Sequence, residues 1–355
     1  MPNRPILSAQ EVRQAINGEA DPTSRIPMFF HFWTHPFAYG EREPEIVALL
    51  EEYPYDAMVV SPMMPGYAES YFADHPGYVW IPSAKNAKEK GSLDARQYIT
   101  DWDNIDKIID ELPDPELPWV MDEAKKAIAK DDTGRYRLGY FWYLYYERFW
   151  SFRGMENALV DFYEHPEEVH KLFAALTRIY VVYVRRLKEE CNCDGLFVTD
   201  DLGTQTGLMF SPALFKEFFA PYYKQVIDEC HRQGMHFWFH TCGNVTDLLD
   251  DFISLGMDVI HPIQKYSMSE TATAQRFGDK ICFLAGMDVQ QIMPHGTTED
   301  VRREVRFMID TYARPGGGLM LTLGNGVTPD IPIENLRAMM DEAYRYGMAR
   351  GKKNA

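Results

Sequence analysis

The segment His240-Thr241-Cys242-Gly243-Asn244 places an imidazole and a thiol two residues apart, directly after the apolar run Phe237-Trp238-Phe239. In extended backbone, side chains at i and i+2 point the same way, so this pair can grip one ion. Thiolate with imidazole is a zinc-type donor set. A bare His-x-Cys is also what two packed core residues look like, so position in the fold has to decide. Catalytic zinc takes three protein ligands and keeps one open place. Asp201 is a candidate oxygen ligand from a neighbouring strand end, and Asn325 is well placed but a poorer ligand. Adjacent Asp200-Asp201 have no helical run until residue 212, so helix capping does not explain them, and both are candidates for general-acid work. The aromatic stretch Tyr140 to Tyr146, including Trp142 and followed by Glu147, reads partly as core and partly as a wall of rings for a planar ligand. His31, Trp33, His35, Gln264 and Asp288 join Tyr140, Trp142 and Glu147 as candidate substrate contacts.

These residues need a scaffold that brings strand ends together. Buried-strand patterns occur at Ile26–Trp33, Asp56–Ser61, Arg137–Leu144, Gly195–Thr199, His236–His240, Asp258–Ile260, Ile281–Ala285 and Leu319–Leu323, each followed by helical spacing. Strand–helix alternation means a parallel sheet, and eight units predict a (β/α)8 TIM barrel of the α/β class. Residues 1–355 are read as one such domain, with a long excursion after strand two over the Pro-, Gly- and Tyr-rich residues 62–100. A doubly wound sheet is the alternative, but no glycine-rich phosphate loop follows the first strand. In a barrel the carboxyl ends of strands carry the chemistry, and His240, Cys242, Asp200 and Asp201 fall there. Cys282 lies four residues before Gly286, roughly 13 Å below that rim at about 3.3 Å per residue, and reads as core. Cys191-x-Cys193 precedes its strand and is set aside.

A net charge of −17 and an isoelectric point near 5.0 argue against nucleic acid as a partner. Five cysteines form no paired framework in a chain of 355 residues, which suits a reducing cytoplasm. No signal peptide and no membrane-spanning run are expected from the apolar pattern. A homodimer is left open.

Asp194 to Gly207, Phe210 to Tyr223, His240-Thr-Cys-Gly-Asn244 and Gly324-Asn-Gly-Val-Thr-Pro-Asp-Ile-Pro-Ile-Glu-Asn335 together resemble the uroporphyrinogen decarboxylase superfamily, as do Glu147-Arg148-Phe149-Trp150 and Arg153-Gly154. The resemblance covers roughly residues 135–350 and implies a (β/α)8 barrel. It also implies one of two chemistries. Decarboxylation of uroporphyrinogen uses no metal and an arginine-bearing N-terminal loop, whereas no arginine stands between Arg25 and Arg42 here. Cobamide-dependent methyl transfer uses zinc held by His-x-Cys and a distant Cys. His240 and Cys242 match the first two positions, and the third falls near Asn325. With fewer sulfurs the metal is a harder Lewis acid, suited to an ether oxygen rather than to an incoming thiol. The expectation is a zinc-dependent methyltransferase that passes a methyl group from a small methylated donor, favoured as a methoxylated aromatic, to a corrinoid on a small partner protein. His240, Cys242 and Asn325 are the expected metal site, with Asp201 near its open side.

Overall fold

Seven parallel strands, hydrogen-bonded in chain order, make the core of the computed structural model: β1 (Ala57–Val60), β2 (Tyr136–Phe141), β3 (Gly195–Thr199), β4 (His236–His240), β5 (Val259–His261), β6 (Cys282–Met287) and β7 (Leu319–Leu323). The structure describes residues 4–67, 72–84, 95 and 97–353. Every residue of β3, β4, β5 and β7 is buried, as continuous apolar runs require when helices cover the outside of a curled parallel sheet. The helices Pro166–Cys191, Ala220–Arg232, Thr298–Tyr312 and Ile333–Lys353 alternate with these strands. The architecture is α/β and TIM-barrel-like.

The expected first strand, Ile26–Trp33, shrinks to a single bridge between Met28 and Leu321 of β7. Phe29 N donates to Leu321 O at 2.8 Å, Leu321 N to Pro27 O at 2.9 Å, and Asp56 N to Met28 O at 3.2 Å. The segment thus lies between β7 and the residue preceding β1, where an eighth strand belongs, but it does not extend. Pro27 has no N–H to give, and Phe30–Trp33 coils into a helical turn closed by Thr34 Oγ1 donating to Phe30 O at 2.9 Å. The eight-stranded expectation is therefore corrected to seven strands and a bridge among the described residues. Arg25 and Asp56 pin this seam through a buried ion pair at 2.6 Å, and Asp56 also accepts from Met28 N at 2.7 Å.

The third expected strand stops at Phe141 rather than Leu144. Tyr143 adopts φ 64°, and a helix, Tyr146–Arg153, follows at once. The excursion lies between β1 and β2; its described parts include the helix Ile105–Asp110, while residues 68–71, 85–94 and 96 fall outside the described residues. Among the described residues no helix is long and apolar enough to cross a membrane.

Candidate metal centre and its cavity

Thr199, His240 and His261 end β3, β4 and β5 and are register partners in turn, so one layer of the sheet carries all three side chains. His261 Nε2 lies 2.9 Å from the Leu323 carbonyl, which can only accept, so this nitrogen carries the proton. Burial drives the His261 pKa well below the usual value and that of His240 down to about 3, so both rings are neutral near pH 7. A neutral His261 then accepts at Nδ1, and His240 Nδ1, 2.7 Å away, must donate to it. His240 Nε2 is left with a bare lone pair, the state a metal ligand needs. Trp33 stacks on His261 with centroids 5.3 Å apart and lies 5.2 Å from His240, which holds both rings in place.

That lone pair faces Cys242 Sγ at 3.4 Å and Asp201 Oδ1 at 3.6 Å. The donor atoms of Asp201, His240 and Cys242 all lie within 4.8 Å of one another. Tetrahedral zinc, with bonds of about 2.0–2.3 Å, spaces nitrogen, oxygen and sulfur donors roughly 3.3–3.6 Å apart. The three side chains fit such an ion. Asp201 is aimed by Cys242 N, which donates to Oδ1 at 2.8 Å. Burial, and next the Asp201 carboxylate, raise the Cys242 thiol far above its usual range, so a bound cation is what would favour its thiolate. The loops after β3 and β4 meet backbone to backbone: a Cβ at Gly243 (φ 82°) would run into the Gly203 carbonyl carbon. Asn325, expected as a ligand, instead directs Nδ2 to Cys242 Sγ at 3.7 Å while its Oδ1 accepts from Gly326 N at 2.7 Å.

Asp200 has a different place. It is fully buried, and its carboxylate accepts from Tyr145 N and Tyr146 N at 2.9 Å, Glu147 N at 2.7 Å and Tyr223 Oη at 2.6 Å. It anchors the start of the helix Tyr146–Arg153 and does not line the cavity beside the metal site. Burial pushes its pKa up to about 6, against the pull of those hydrogen bonds. The anchored helix delivers Glu147, whose Oε2 accepts from Thr199 Oγ1 at 2.8 Å. Burial, then Asp201 and Asp200, raise the Glu147 pKa well above its usual value, which favours the protonated carboxyl.

A cavity of about 690 Å³ opens onto Asp201, His240 and Asn325. Tyr140, Trp142, Tyr143 and Trp150 contribute rings to it, and Glu147 and Arg148 contribute charge-bearing groups. Tyr140 Oη is buried with no partner among the described residues. Trp142 is 45% exposed, at the rim. Of the other expected contacts, His31 bonds Leu50 O at 3.0 Å and stacks on Tyr55, and His35 stacks on Phe37; neither lines this cavity. Trp33 supports the histidines from behind. Gln264 accepts from Gly243 N at 2.6 Å, and Asp288 accepts from Gln290, Gln291 and Ile292 N; both line a second cavity of about 250 Å³, which Cys242 also lines and which shares Asn325 with the first. Sequence reasoning missed Arg148 as a cavity residue and His261 as the partner of His240. The signal for His261 was its place as the last residue of the next strand.

Residues 149–346 match the family model described as uroporphyrinogen decarboxylase. The uroporphyrinogen decarboxylase of Photobacterium profundum is 26% identical over 255 residues, 68% of each chain. That of Xanthomonas oryzae pv. oryzae is 25% identical over 188 residues, 51% of this chain and 50% of its own. The chain therefore spans between half and about two thirds of the length of these relatives. Among solved structures, a methyltransferase from Methanosarcina mazei superposes with a TM-score of 0.53 at 15% identity, over 68% of this chain and 66% of its own, which shows a shared fold.

Proposed function

From a chain that belongs to the uroporphyrinogen decarboxylase family, we propose a zinc-dependent methyltransferase that moves a methyl group from a methoxylated aromatic to a corrinoid held by a partner protein. The observation that carries this reading is the trio Asp201, His240 and Cys242, of which Asp201 and His240 line an aromatic cavity. These three residues would hold the ion. When bound, zinc supplies a Lewis acid that polarises the ether oxygen. The chain's own residues do the rest. Tyr140, Trp142 and Tyr143 sandwich the donor ring and exclude water. Methyl transfer breaks the methyl–oxygen bond, leaving the electron pair on the aryl oxygen, while the reduced cobalt supplies the pair for the new bond. The aryl oxide then needs a proton. Glu147, protonated by its burial and positioned by Thr199, supplies it as general acid. Asp201 serves the metal, and Asp200 positions the helix that carries Glu147.

The names of the curated relatives favour a second reading, decarboxylation of uroporphyrinogen. A substrate with many carboxylates calls for several arginines. Arg25 is spent in its buried pair with Asp56, and Arg148 is the one arginine on the cavity wall among the described residues. The test is anaerobic mixing with cob(I)alamin and a set of methoxylated aromatics, followed by the colour change to methylcobalamin. Methylation from an aryl ether is expected, with little or no methylation of a small thiol by methylcobalamin. Ready thiol methylation with every aryl ether ignored would overturn the donor assignment.

A further inference from the structure

Four arginines are buried among the described residues: Arg25, Arg148, Arg153 and Arg186. Three of them are paired with carboxylates, Arg25 with Asp56 at 2.6 Å, Arg153 with Asp161 at 2.5 Å and Arg186 with Glu190 at 2.6 Å. Arg148 is the exception. It is 3% exposed, it stands in the wall of the larger cavity, and no carboxylate among the described residues forms an ion pair with it. Nη2 donates to Trp142 O at 3.0 Å and Nη1 to Tyr67 Oη, while Nε is buried with no acceptor among the described residues. The guanidinium lies over the Trp80 ring at 4.3 Å and near Tyr143 at 5.4 Å. Rings of this kind offset part of the loss of water, but a fully buried cation calls for an anion. Its neighbour Glu147 turns its carboxyl to Thr199 and forms no ion pair with Arg148.

We propose that Arg148 receives a carboxylate of the substrate, so that the ligand of this cavity is an aromatic carboxylic acid. The inference rests on reading the cavity as the methyl donor's site, and it narrows that donor from any methoxylated arene to a methoxylated aryl carboxylate. A guanidinium fork matches a carboxylate in shape and charge, and a dry wall strengthens the contact. The ring lies against Tyr140, Trp142 and Tyr143, and its methoxy group reaches the wall formed by Asp201 and His240. The same Arg148 also ties down the Trp142 carbonyl, so a purely structural role has to be separated by experiment.

Binding to the purified chain separates the two without any corrinoid. 4-Methoxybenzoate and its neutral isostere 4-methoxybenzamide would be titrated by calorimetry or by tryptophan fluorescence. The wild type is expected to bind the benzoate at least about tenfold tighter than the amide. Arg148→Gln should abolish that preference while leaving amide affinity within about threefold, and Arg148→Lys should retain part of it. Equal binding of the two ligands by the wild type, or no binding of either, would overturn the proposal, and neither result requires a variant to fold. An Arg148→Gln protein that weakens both ligands alike would show an anchoring role only and would also overturn it. Methyl transfer from neutral methoxyarenes without any carboxylate preference would leave the methyltransferase reading standing and remove this one.

Discussion

Asp200 and Asp201 are chemically identical neighbours with opposite employment. Asp200 spends both oxygens on three backbone N–H groups and the Tyr223 hydroxyl, whereas Asp201 turns out toward His240 and Cys242. Asp200→Asn places an NH2 donor among donors and should cost about 3 kcal/mol or more in urea unfolding. Asp201→Asn should stay within about 1 kcal/mol of the wild-type metal-free protein and lose zinc instead. Equal stability of the two variants would contradict this division. His261→Leu removes the acceptor of His240 Nδ1, and zinc affinity, read by competition with a chromophoric chelator, should fall roughly ten- to a hundredfold. No change would mean that the His240 tautomer is set in some other way. His240 and Cys242 are legible in the sequence because i, i+2 spacing at a strand end fixes a common direction. The division between Asp200 and Asp201 is not legible, because it depends on a helix start brought from 53 residues away.

The seven strands lie where apolar runs put them, since a buried parallel strand writes its full length in hydrophobic residues. The helix Tyr146–Arg153 is harder to read. Aromatic residues continue through Phe141, Trp142 and Tyr143 with no change of period, and what ends the strand is the φ of 64° at Tyr143, a conformation that no glycine announces. Likewise Met28–Phe29 look like strand but make only a bridge, because Pro27 and the turn at Phe30 shorten the pairing. At the other end of the strands, His236 of β4 holds Tyr136 Oη and Asn17 Oδ1 at 3.0 Å each, and burial pushes its pKa down to about 4. The unfolded chain binds this proton near pH 6.5 and the folded chain only near 4. The stability is thus complete above pH 6.5 and is lost as the pH falls toward 4, by about 1.4 kcal/mol per pH unit for one proton. Burial lowers His31 to about 4 as well and adds to the same window. Urea unfolding between pH 7 and 5 should show this slope, and His236→Gln should reduce it by about one proton. An unchanged slope in the variant would contradict the assignment.

The whole molecule is a curled parallel sheet whose seam between β7 and β1 is closed by a bridge and a buried Arg25–Asp56 pair, with its chemistry gathered at one end. The first cavity holds rings and Arg148, the second is smaller, and Cys242 and Asn325 line the second while Asn325 lines both. The barrel-like plan is legible from strand–helix alternation, but the cavity is not, because its wall combines the excursion after β1 with the loop after β2. The chemistry proposed for this end of the sheet depends on a bound metal ion. It is tested most directly by metal analysis of the full chain purified without chelator, beside Cys242→Ser and Cys282→Ala. The Cys282 thiol is buried at the start of β6, paired in register with Val259 and away from the cavity. About one zinc per chain is expected in the wild type and in Cys282→Ala, with most of it lost in a folded Cys242→Ser protein. A wild type that carries no zinc and takes up none on titration would contradict it.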